Sequence, residues 1–257
     1  MRVPTLSSIA ALMGALACSA PSSPSATTAS TAGTATTMSA TSAVTTTAAS
    51  ASLPSVYQQF KSTVGVRVDG TTVVLTSNGV PDHPSPYFDT GNPLYEAPRA
   101  GMAVNPNRIV SQNFVLRVPI APVVVTASDT PLGAIGIATN GVAFFNQYAA
   151  GRQPLTFEIL SFDRYNGHPQ QTGVYHYHMD PFWLTTGHPA AFIGVLLDGF
   201  PVYGPKESDG SAPAGLDACN GHAHATADFP QGLYHYHVTS ESPYLSGCFR
   251  GTPGTAG

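Results

Sequence analysis

The sequence predicts a mainly β protein, a β-sandwich or barrel-like fold of short strands and hairpins with the marks of an internal pseudo-duplication. Three observations predict it. Runs of β-branched residues are broken by a tight-turn dipeptide at Asp69-Gly70, Asn140-Gly141 and Asp198-Gly199. The 25 glycines and 23 prolines suit many short strands joined by turns. A compound motif, N-G-H followed by G-[V/L]-Y-H-Y-H, occurs twice.

Residues 1–17 read as a signal peptide. Arg2 is their only charge, and the apolar stretch LSSIAALMGALA ends in small residues. That stretch is too short to span a membrane. Cleavage falls before Cys18, which also sits in a lipobox-like context, so lipidation of Cys18 and anchoring at the cell envelope are expected. Plain secretion is the alternative. Residues 18–55 are mostly Ala, Ser, Thr and Pro without a charge. Such a segment has too little apolar surface to offset its ordering entropy, and a disordered tether is expected. Residues 56–257 form the folded domain, large enough for a sizeable core.

Within that domain the strand candidates are VGVRVDGTTVVL (64–75), IVSQNFVLRVPI (109–120), PVVVTA (122–127), IGIATNGVAFF (135–145), LTFEILSF (155–162) and FIGVLLDGFPVYG (192–204). The first, fourth and sixth contain the turn dipeptides and read as hairpins. Short helical turns are expected near 53–62, and no long segment repeats with a 3.6-residue period.

The formal net charge is −4 and basic residues are scattered singly, which argues against nucleic-acid binding. The one partner surface implied is a membrane, through the lipid anchor; no protein partner or small-molecule substrate can be named. Of the three cysteines, Cys18 belongs to the processing site. In an exported protein the other two, Cys219 and Cys248, are expected to form a disulfide.

The histidines carry the chemistry. Side chains alternate faces along a strand, so His176 and His178 point one way while Tyr175 and Tyr177 point the other. His235 and His237 stand likewise against Tyr234 and Tyr236. An i, i+2 imidazole pair can chelate a metal. His168 and His222 lie upstream in the two N-G-H stretches. The expected site therefore gathers His176, His178, His235 and His237 around one metal-sized space, with His168 and His222 at or near it. His224, in HAH, reads as an auxiliary ligand or a bystander. Asp198 and His83 are candidates for orienting the ligating imidazoles from behind, with Asp217 in a similar position. The cofactor expected is a divalent transition metal, zinc or copper; histidine ligation without a methionine or free thiol suits Zn(II) or Cu(II).

On its motifs the chain resembles the YHYH-domain proteins. The resemblance rests on SNGVPDH (77–83), IGIATNGVAFFN (135–146), NGHPQQTGVYHYH (166–178), IGVLLDGFPVYGP (193–205), LDACNGH (216–222) and GLYHYH with SPYLSGCFRG (232–251). It implies an often exported protein and names no reaction; the positions of Cys219 and Cys248 match.

No nucleophile elbow, phosphate loop, dinucleotide fingerprint or H-E-x-x-H helix is present. Three functions stay open. The first is a metal-binding protein of the cell envelope, and the second a metalloenzyme, hydrolytic or oxidative. The third is a metal-free β-rich interaction module whose His/Tyr ladders are architectural.

Overall fold

Gly70 takes φ 61°, a left-handed conformation that glycine adopts without strain. It turns β1 (Gly65–Asp69) back onto β2 (Thr72–Ser77), as Asp69-Gly70 predicts. The structure is a computed structural model and describes residues 52–257, all within the unit Ala48–Gly257. The signal peptide, Cys18 and nearly all of the tether lie outside the described residues. β3 (Phe114–Pro119) pairs antiparallel with β2.

Next along the chain come β4 (Ser128–Asp129), β5 (Gly136–Ala138), β6 (Ala143–Phe144) and a small hairpin of β7 (Tyr148–Ala149) and β8 (Gln153–Pro154). β9 (Gly167–Pro169) and β10 (Tyr175–Tyr177) hold the first compound motif. β11 (Phe192–Leu196) and β12 (Pro201–Tyr203) form another hairpin. β13 (Gly221–His224) and β14 (Leu233–His237) hold the second motif, and β15 (Cys248–Phe249) and β16 (Thr255–Ala256) close the chain. Among the described residues, helical ones are confined to four short turns, Ser55–Gln59, Ala150–Arg152, Glu158–Ser161 and Phe182–Thr185.

Two sheets organise the domain, with strand orders β1-β2-β3-β16 and β13-β14-β12-β11-β5-β6-β10-β9. They pack in a sandwich-like manner and close no barrel. Val73, Leu75, Leu116 and Val118 from the smaller sheet share one buried cluster with Ile137, Val195, Leu196 and Val202 of the larger. In the larger sheet β5 and β11 are antiparallel neighbours at the centre, in the register Ala138↔Gly194 and Gly136↔Leu196. A Cβ on Gly136 or Gly194 would run into the backbone of the opposite strand, so glycine permits this close central pairing. Outward from the centre the order is the same on both sides. Each hairpin's second strand pairs parallel with a YHYH strand, which pairs antiparallel with its own N-G-H strand.

Two expected strands are absent. LTFEILSF winds into the turn Glu158–Ser161 instead, burying Leu155 and Phe162 while Phe157 points to solvent. PVVVTA stays irregular: Val123, Val124 and Val125 are exposed and the segment finds no ladder partner. Strand propensity reflects packing on a pleated, half-buried surface, and these valines have none.

Candidate metal centres

The pleat delivers the expected alternation. Tyr175, Tyr177, Tyr234 and Tyr236 are buried on one side, and the four motif histidines are buried on the other. The upstream histidines fall directly opposite, in the cross-strand pairs His176↔His168 and His235↔His222. Each N-G-H is set by an Asn in left-handed conformation, Asn166 at φ 62° and Asn220 at φ 68°. An aspartate holds each turn: Asp163 accepts the N–H groups of Tyr165 and Gly167, and Asp217 those of Cys219 and Gly221.

The same aspartates anchor the tyrosine face. Tyr175 donates to Asp163 at 2.6 Å and Tyr234 to Asp217 at 3.0 Å.

The first cluster is His168, His176 and His178. The Nε2 atoms of His168 and His176 are 3.1 Å apart, and those of His176 and His178 2.9 Å. Nδ1 of His176 faces the Val174 carbonyl at 3.0 Å, and Nδ1 of His178 the Asn146 carbonyl at 2.5 Å. Nδ1 of His168 meets Ser161 Oγ at 2.8 Å, closer than the Asn105 amide at 3.4 Å. The Ser161 hydroxyl donates to the Glu158 carbonyl, which leaves its lone pair free to accept from His168. Glu158 Oε1 lies 3.6 Å from His168 Nε2.

The second cluster is Glu207, His222, His224, His235 and His237. Oε1 of Glu207 lies 3.2 Å from His222 Nε2 and 3.4 Å from His237 Nε2, and Oε2 lies 3.3 Å from His224 Nε2. His222 and His224 approach to 3.1 Å. Here every Nδ1 faces a carbonyl, those of Ala214, Ala225, Leu233 and Gly204. The buried Nε2 atoms of His235 and His237 have no hydrogen-bond partner among the described residues.

Protonation follows from these partners. A carbonyl oxygen accepts only, so each facing Nδ1 carries the proton and each neutral ring turns a bare Nε2 lone pair into its cluster. Burial reinforces neutrality. It is the main cause that pushes His168 down to about 3, His178 and His235 to about 4, and His176 well below the usual imidazole range. Lone pairs facing one another near 3 Å repel unless a cation lies between them. A tetrahedral ion with bonds of about 2.0–2.1 Å spaces its ligand nitrogens by about 3.3 Å. Both clusters could hold a metal ion on this geometry.

The structure corrects several sequence expectations. The two motifs do not share one site. Two hairpins stand between β10 and β14, five strand steps of about 4.8 Å, or about 24 Å in all. Each motif pairs with its own hairpin, and the hairpins meet at the centre, so the histidine pairs end up near opposite edges. Asp198 orients no imidazole. It accepts from the Tyr236 hydroxyl at 2.6 Å and from the backbone N–H of Phe200, Arg250 and Gly251. His83 is saturated elsewhere, with Nδ1 on the Pro84 carbonyl and Nε2 on the Tyr177 hydroxyl. Asp217 serves its turn and Tyr234.

The Cys219–Cys248 disulfide is formed, with Cα atoms 4.8 Å apart. His224 belongs to the donor set, Glu207 joins the second cluster and Glu158 lies beside the first, without any motif having marked either glutamate. Glu207 follows β12 closely, just past Gly204, whose carbonyl holds His237; that adjacency is the one signal the sequence contained.

Fold and site together define a β-rich protein with two histidine clusters able to hold metal ions. A family model described as YHYH protein matches residues 115–215 and 207–251, more than half of the chain, and the protein belongs to that family. No curated protein and no solved structure matches it.

Proposed function

We propose that the protein is an exported metal-binding protein, lipid-anchored through Cys18 at the cell envelope, that binds a divalent transition metal, zinc or Cu(II), at two separate histidine sites. One observation carries the metal reading. Seven imidazoles give Nδ1–H to an oxygen and aim Nε2 into two clusters, with neighbouring donors 2.9–3.4 Å apart. A ladder serving the fold alone would alternate donors with acceptors. The signal-like residues 1–17, the uncharged residues 18–55 and the disulfide support export.

Elemental analysis of protein recovered from its native compartment and dialysed against buffer tests the metal sites. Two equivalents of zinc or copper per chain are expected, and metal-free protein that takes up neither ion defeats the reading. Fractionation of a Cys18→Ala variant tests the anchor separately: the wild type is expected in the membrane fraction and the variant in the soluble one.

A further inference from the structure

The two clusters differ in what they leave open. At the second, Glu207 lies within 3.4 Å of three of the four histidines, so an ion there has five protein donors at hand. At the first, three imidazoles are the whole set of mutually close donors among the described residues, which leaves a tetrahedral ion one position without a ligand from them. His176 and His178 also line a cleft of about 250 Å³ together with Phe145, Tyr148 and Leu132. Glu158 lines the same cleft, with Oε1 3.6 Å from His168 Nε2 but outside the close donor set. A carboxylate beside a ligand set, and not within it, is placed to accept a hydrogen bond from a water in the open position.

Resting on the metal reading above, we propose that the first histidine cluster is a hydrolytic centre for small uncharged acyl compounds, esters or amides, with Glu158 as its general base. A divalent ion supplies the electrophilic activation of water there. Glu158 takes one proton from the water as its oxygen forms a bond to the acyl carbon. The bond from that carbon to the leaving oxygen or nitrogen then breaks, and the leaving atom departs with the electron pair. Glu158 returns the proton to it. Water is the only co-reactant and no electron changes hands.

The cleft sets the substrate class. Among its lining residues there is no lysine or arginine, and Glu158 adds negative charge, which disfavours phosphate esters and other anions. Leu132, Phe145 and Tyr148 suit an apolar acyl group, and the volume lies below the ~300–1,000 Å³ of sites for drug-sized ligands.

The test uses the full-length chain carrying His222→Ala and His235→Ala, which removes ligands of the second cluster only. After loading with Co(II), its visible spectrum is expected to change when acetohydroxamate enters the open position. After loading with Zn(II), it is expected to hydrolyse p-nitrophenyl acetate with saturation and to leave p-nitrophenyl phosphate intact. Glu158→Gln in the same background is expected to keep the metal stoichiometry and to lose at least about 100-fold in turnover; Glu158→Asp, which keeps the carboxylate, is expected to recover part of it. The hydrolytic proposal is overturned if cobalt binds but acetohydroxamate leaves the spectrum unchanged, or if Glu158→Gln turns over ester as fast as its parent. A first cluster that takes up no metal overturns this proposal and, at that site, the metal reading beneath it.

Discussion

Near one edge of the larger sheet, three deeply buried imidazoles converge with no carboxylate in their ring. Near the other edge, four imidazoles close around Glu207, and His224 is 41% exposed. The backbone devices on the two sides match. Each has an Asp-held N-G turn, a cross-strand histidine pair and Nδ1–H groups given to oxygen acceptors. The fourth wall is what differs. At the first cluster it is the turn carrying Glu158, set back beside an open cleft; at the second it is the loop after β12, which brings Glu207 among the nitrogens. A repeated strand motif can thus aim imidazoles, while the residues around it decide whether the site is filled or open.

Removing one side at a time breaks the comparison most directly. His176→Ala with His178→Ala should delete one equivalent of bound metal and leave the second cluster's affinity unchanged; His235→Ala with His237→Ala should do the reverse. Isothermal titration of the two variants reads this, and a single mutation pair that empties both sites would mean the clusters are coupled.

The disulfide gives the next largest effect. It lies wholly in the second half, its cysteines 29 positions apart in sequence, and loop entropy assigns it about 3–4 kcal/mol. Reduction should lower stability by that amount in denaturant unfolding and speed metal loss from the second cluster alone. Equal acceleration at both clusters would show that the bridge acts on the whole fold.

Glu207→Gln keeps the shape of the side chain but removes the charge. Metal affinity at the second cluster should fall at least tenfold, about 1.4 kcal/mol, with the first unchanged. An unchanged second cluster would make Glu207 a neighbour of the site and not a ligand.

The smallest effect is the pH dependence of the metal-free domain. The buried imidazoles of His168, His176, His178 and His235 protonate at lower pH in the fold than in the unfolded chain, where they titrate near ~6.5. Between about 6.5 and the folded values the unfolded chain binds more protons, so stability falls as pH falls through that window. The slope approaches about 1.4 kcal/mol per pH unit for each such imidazole, and the loss is complete below the folded values. His168, held down to about 3, should protonate after His235, held to about 4. Imidazole resonances followed by NMR would give the order, and the reverse order would contradict the deeper burial of the first cluster.

The chain's own residues determined the local chemistry. Strand period places His176 and His178 on one face and Tyr175 and Tyr177 on the other wherever the strand goes. The turn dipeptides at Asp69-Gly70, Asn140-Gly141 and Asp198-Gly199 place three hairpins because few residues tolerate those backbone angles. Cys219 and Cys248 were legible by elimination. Local pattern failed where partners decide structure: the β-branched run at 122–127 joins no strand ladder, and 155–162 winds up to bury Leu155 and Phe162.

Which strands lie side by side was decided by the tertiary structure alone. The pairing of β5 with β11 puts two hairpins between the YHYH strands and turns one expected site into two. The same long-range packing brings Glu207 to four histidines, seats Glu158 beside three, and gives Asp198 to Tyr236 instead of an imidazole. Backbone geometry acts over two or three residues and so can be read from the chain. Contacts between residues tens of positions apart depend on how whole strands pack, and no local spacing records that.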